Sequence, residues 1–94
     1  MEKYVVVKTH NFDHETEAAE FTDYSKAIAY LRWMWEDYYN EEIANESYLD
    51  EEKCYCEETY AKVQWDDGYY TEFNLIKVYE PREDFPADWE RYAM

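Results

Sequence analysis

The sequence predicts an α+β domain: one long helix packed on a small, mainly antiparallel sheet, connected β-α-β-β with strand order 1-3-2, plus a short C-terminal helical turn. Three observations carry that expectation. Residues 22–47 form the only segment long and periodic enough for a long helix. Residues 2–9 and 53–79 are rich in β-branched and aromatic side chains, the composition of strands. Asp66-Asp67-Gly68 holds the chain's one glycine where two strand-like runs meet, as a hairpin turn requires. Ninety-four residues then make a single domain, 1–94, large enough to bury a core and too small for two.

The first strand, EKYVVVKT, spans 2–9. Residues 10–20, HNFDHETEAAE, have no clean period and read as a loop with an extended end, residues 18–21 being able to form a short extra edge strand. In the helix, Tyr24, Ala27, Ile28, Leu31, Trp35, Tyr38 and Tyr39 recur every three or four residues and make the core face. Thr22 or Asp23 supplies an N-cap, Phe21 packs back as a staple, and the helix ends near Asn45. Residues 48–52 are a connection, and 53–65 a second strand with an interruption near Glu57 and Glu58.

Turn length decides the register of the hairpin. A two-residue Asp67-Gly68 loop would oppose Val63 to Glu72, mixing apolar and polar neighbours on one face. A three-residue loop with Gly68 left-handed instead opposes Trp65 to Tyr69, Val63 to Thr71 and Ala61 to Phe73, and sets Lys62 against Glu72 on the outer face. That register places Ala61, Val63, Trp65, Phe73 and Leu75 toward the helix. The last strand, 69–79, is apolar on both parities at Leu75, Ile76 and Val78, as in a central strand. Placed between the other two, it gives the 1-3-2 order, with a right-handed β-α-β crossover and the first strand at an edge. In the tail, 86–92 make one or two helical turns with Phe85, Trp89 and Tyr92 as packing anchors.

Charge limits the function. Twenty-four acids against nine bases give a net charge of −15, which excludes direct binding to nucleic-acid backbones and disfavours anionic membranes. A basic protein partner fits, with steering that weakens as salt rises. No apolar run approaches a membrane span, and Glu2 spoils a basic leader, so a cytoplasmic, soluble protein is expected. No catalytic, metal or cofactor motif is present, and a single glycine leaves no phosphate cradle. Cys54 and Cys56, two apart on a strand, sit about 7 Å from each other on one side and read as reduced thiols.

The carboxylates sit where folding gains nothing. Asp37 and Glu41, and Glu42 and Glu46, are like charges four apart, toward a helix C-terminus that is already electronegative. A solvated face in a very acidic protein is one account; a partner-binding face is the other. Aromatic side chains such as Trp33, Tyr30, Tyr48, Tyr55, Tyr60 and Tyr70 alternate with acids, as at interfaces that receive arginine and lysine. The register directs Trp35, Trp65 and Phe73 into the core and Trp33, Tyr60 and Tyr70 outward.

In size, charge and aromatic content, though in no shared motif, the chain resembles the small acidic inhibitors of phages and mobile elements, the anti-CRISPR and antirestriction proteins that mimic DNA. The resemblance implies a non-enzymatic inhibitor that presents carboxylates to a basic nucleic-acid-binding protein such as a nuclease effector, with no cofactor. The residues assigned to that partner are Trp33, Glu36, Asp37, Glu41, Glu42 and Glu46 with Asp50, Glu51 and Glu52. Two alternatives stay open: an immunity protein or antitoxin that neutralises a basic toxin, and an enzyme or metal-dependent regulator using His10, His14, Cys54 and Cys56.

Overall fold

The computed structural model describes residues 2–93. Five strands and one α-helix form two layers: β1 (Lys3–His10), β2 (Thr16–Phe21), α1 (Tyr24–Ala44), β3 (Tyr55–Cys56), β4 (Tyr60–Gln64) and β5 (Tyr70–Val78). The sheet is antiparallel throughout, in the order β2-β1-β5-β4-β3. This corrects the three-stranded β-α-β-β arrangement in two places. Residues 16 and 17, expected as loop, join 18–21, expected as no more than a short extra edge strand, in a full β2 paired with the first strand, Val6 opposite Ala19 and Tyr4 opposite Phe21. The segment expected as one interrupted strand is a hairpin, β3 and β4, turned at residues 57–59.

The reason is the same at both sites. A strand whose residues are largely removed from water leaves costly backbone donors and acceptors on any unpaired edge, and β1 recruits TEAAEF to that edge despite the poor intrinsic strand preference of alanine and glutamate. β1 is therefore interior rather than an edge, and Val6 is buried. The connection also changes: α1 runs from β2 at one edge of the sheet to β3 at the other, not from the first strand to its neighbour but one.

Local chemistry starts and stops the helix. Asp23 caps it, accepting from the N–H groups of Ser25 at 2.9 Å and Lys26 at 3.3 Å. Phe21 packs onto Tyr30 with ring centroids 5.0 Å apart. At the far end the Ser47 N–H donates to the Glu42 carbonyl and the Glu46 N–H to the Ile43 carbonyl, the paired bonds of a Schellman motif. The residue that turns the chain there is Glu46, left-handed at φ 57°, where glycine is the usual occupant. The one glycine is used instead at the β4–β5 turn, where Gly68 has φ 93°.

That turn has the three-residue form. The Trp65 N–H donates to the Tyr69 carbonyl at 2.9 Å, Val63 opposes Thr71, Ala61 opposes Phe73 and Lys62 opposes Glu72. Val6, Ala27, Leu31, Ala61, Val63 and Phe73 make the buried core between helix and sheet, ringed by Tyr4, Met34, Trp35, Tyr38, Trp65 and Leu75. Burying a side chain the size of Leu31 or Phe73 contributes about 1.5–3 kcal/mol. The tail contributes nothing comparable: residues 79–93 are all exposed, Phe85 and Tyr92 to 62% and 64%. A 3₁₀ turn at Trp89–Tyr92 is the only helical structure described there, and the three aromatics are not packing anchors.

Candidate functional site

The outer face of α1 carries the carboxylates assigned to a partner, and the fold divides them. Trp33, Asp37 and Glu41, at spacings of four, flank the helix on the side toward β1 and β2, where they line a groove of about 310 Å³ with Lys8, Glu17, Tyr30, Met34 and Tyr38. Trp33 is 61% exposed. Its ring lies 5.7 Å from that of Tyr30, which in turn packs at a tilt against Phe21, so the indole ends a row of three aromatic rings. Glu36 points down the other flank, 3.5 Å from Arg32 and close enough to Cys56 to act on its thiol.

Glu42 departs from the expected face. It sits one turn beyond Tyr38 on the core side, half-buried, and its carboxylate accepts a hydrogen bond from the Ser47 hydroxyl. Its work is to close the helix end. Glu46 lies past the C-cap and is exposed. Asp50, half-buried, anchors the connection through its N–H to the Gln64 carbonyl at 2.9 Å, with Lys53 3.8 Å from its carboxylate, while Glu51 and Glu52 are exposed on the following 3₁₀ turn. Among the described residues, no salt bridge engages Asp37, Glu41, Glu46, Glu51 or Glu52.

Two groove residues escape the sequence reading. Glu17 joins Asp37 and Glu41 because β2 exists, and a segment read as loop has no defined face. Lys8 sits opposite Glu17 in the β1–β2 pairing with its ammonium 4.3 Å from the centroid of the Tyr38 ring. It is the one cation in the groove, placed over an aromatic face rather than against a carboxylate. The signal that could have found both is the alternation of β1: Tyr4, Val6 and Lys8 share a face with the helix.

A second acid–aromatic surface lies at the hairpin end. Tyr48 is 82% exposed and borders a depression with Ser47, Trp65, Asp66 and Asp67, and Phe12 and Tyr69 stand beside it. Tyr60 and Tyr70 do point away from the helix, yet neighbours cover both. The Tyr60 hydroxyl donates to Glu72, and desolvation together with that bond pushes its ionisation well above the usual phenol range. Lys62 covers the Tyr70 ring at 4.6 Å.

The residues considered for metal or redox chemistry are dispersed. His10 Nδ1 lies 2.7 Å from the buried Thr71 hydroxyl and the ring stacks on Phe12 at 4.8 Å. Cys54 and Cys56 stand at the opposite edge of the sheet as free thiols, and burial pushes both up from their ordinary values, away from the reactive thiolate. Among the described residues no group of three or more His, Cys, Asp or Glu side chains is placed to hold a metal ion. No described helix is long and apolar enough to cross a membrane. The chain matches no protein family, no curated protein and no solved structure, so its own surface chemistry is what a functional reading stands on.

Proposed function

We propose that this protein is a non-enzymatic acidic inhibitor that binds a nucleic-acid-binding protein, of the CRISPR or restriction nuclease type, by presenting carboxylates in place of a nucleic-acid strand. The observation that carries the reading is the exposed row Trp33, Asp37 and Glu41, with Glu36 on the adjoining flank, on a helix with no basic residue in its last turn. Asp37 and Glu41 stand about 6 Å apart along the helix axis, close to two phosphate intervals of about 3.4 Å along a strand of duplex. Folding does not require them there: Asp37 and Glu41 repel each other, and both oppose the helix field. Trp33 adds the rigid apolar anchor that interfaces favour.

The test is capture by the immobilised protein from lysate at low and high salt, followed by competition with duplex DNA and with RNA. A nuclease or other nucleic-acid-binding protein, released by salt and by the competitor, is expected. Combined Glu36→Lys, Asp37→Lys and Glu41→Lys substitution should abolish capture and flatten its salt dependence in a chain that remains folded. Undiminished capture by that triple variant would overturn the assignment of the face. Capture of a basic toxin, indifferent to nucleic acid, would replace mimicry by an immunity role.

A further inference from the structure

The face of the sheet turned away from α1 carries an apolar strip along β1 and β5 and balanced charges on its described strand residues. Because Val6, Ala61, Val63, Thr71 and Phe73 are buried beneath the helix, the alternate residues of each strand point the other way. Cross-strand pairing sets Val7 beside Ala18, Val5 beside Ile76, and Lys3 beside Val78. Ile76 is 48% exposed. A one-sided antiparallel sheet shows polar residues at such positions, as Thr9, Gln64 and Asn74 do here, whereas Val5, Val7, Ile76 and Val78 form an apolar strip along β1 and β5 of the kind found in strands covered on both faces. Here only one face is covered.

The charges on this face cancel. Its strands carry Lys3 and Lys62 against Glu20 and Glu72. Lys3 lies 3.7 Å from Glu20, and Lys62 stands directly across from Glu72. In a chain of net charge −15 this is where a second copy meets no repulsion.

We infer that the protein is a dimer whose two copies pack these sheet faces against each other about a two-fold axis, leaving each helix on the outside. A face five strands wide at about 4.8 Å spacing, with strands averaging roughly 20 Å, removes on the order of 1,000 Å² when two copies meet, the lower bound for a biological interface. Sheets pack about 10 Å apart and a helix about 10 Å above its sheet, so the two acidic helices stand roughly 30 Å from each other. That exceeds three screening lengths of about 8 Å at physiological salt, which removes the objection that −15 on each copy would force them apart. The dimer is symmetric and closed, so it does not propagate. It presents two copies of the helix face in opposite directions, and this holds whatever the helices bind.

Sedimentation equilibrium or light scattering on the whole chain decides it. A mass twice the 11.7 kDa of one chain is expected. Ile76→Lys should weaken the dimer about a hundredfold or more, because two-fold symmetry puts two introduced lysines, one from each copy, into the same interface. Val78→Lys, at the exposed end of β5, should weaken it without touching the core, and far-UV circular dichroism shows that both variants remain folded. Glu41→Lys on the helix should leave the mass unchanged. A monomeric wild-type chain at high micromolar concentration and physiological salt would overturn the inference, as would a dimer that both sheet-face substitutions leave intact.

Discussion

The indole Nε1 of Trp35 donates to the main-chain carbonyl of Lys62 at 3.0 Å, a bond from the middle of the helix to the middle of β4. It sets the rotation of the helix on the sheet. The indole also stacks on Tyr39, 5.0 Å away and nearly parallel, so the donor is held in place. Trp35→Phe keeps an aromatic ring and removes the bond, and should destabilise the fold by about 1–3 kcal/mol. Urea denaturation measures it, and the slope with denaturant should be unchanged.

Thr71 is the buried polar residue of the core, and its hydroxyl serves two partners, His10 Nδ1 at 2.7 Å and the Tyr38 hydroxyl at 3.3 Å. Thr71→Val conserves shape and leaves both partners short of a bond. The expected loss is again about 1–3 kcal/mol, where an exposed threonine would tolerate the change.

At Glu46 the chain adopts a left-handed conformation that a side chain disfavours by about 1 kcal/mol. Glu46→Gly should therefore stabilise the protein by roughly that amount, raising its melting temperature by several degrees. If Glu46 also touches the partner, the same substitution lowers affinity. Opposite signs in the two assays separate a contact role from a purely structural one.

Glu41→Lys provides the parallel test on the helix. It replaces the repulsion from Asp37 by an i,i+4 attraction in the favourable orientation and places a cation near the helix C-terminus, for a gain of about 0.5–1 kcal/mol. Binding to a basic partner should fall at the same time. A variant that gains stability and keeps full affinity would assign this face to solvent.

Tyr60 makes stability depend on alkaline pH. Its phenol is neutral, desolvated and bonded to Glu72, so ionisation is raised in the folded state relative to an ordinary value near 10.0. A raised acid of this kind contributes stability fully below about pH 10, and loses it as pH rises toward the folded-state value. Stability of the wild type should fall above that pH more steeply than that of Tyr60→Phe. In an absorbance titration of tyrosinate, the phenol that ionises last should be missing from the variant.

The helix and the β4–β5 hairpin were readable from sequence because their determinants are local. Asp23 reaches donors two and three residues away, and Gly68 supplies a positive φ that sets the turn length and hence the register. What has no such local signal is the full pairing of β2 with β1 and the reversal that folds β3 back on β4, where an extra edge strand at 18–21 and one interrupted strand at 53–65 are expected. Thr16–Phe21 and Tyr55–Cys56 become strands because β1 and β4 offer them unpaired backbone, and that demand comes from segments distant in the chain or hidden by an acidic turn. The tail differs from expectation in another way: Phe85, Trp89 and Tyr92 have anchor chemistry, but residues 79–93 lead away from the sheet beyond Val78 and stay exposed.

By itself, the sequence determined the acidic charge, the helix with its cap and face, and the outward placement of Trp33, Glu36, Asp37 and Glu41, since periodicity and composition are properties of neighbours along the chain. Only the tertiary structure decided that Glu42 turns inward to Ser47, that Glu17 and Lys8 join Asp37 and Glu41 in one groove, and that a charge-balanced valine and isoleucine face lies behind the sheet. Those relations depend on which strands become neighbours, and strand neighbours are chosen by backbone pairing and core burial across the whole chain.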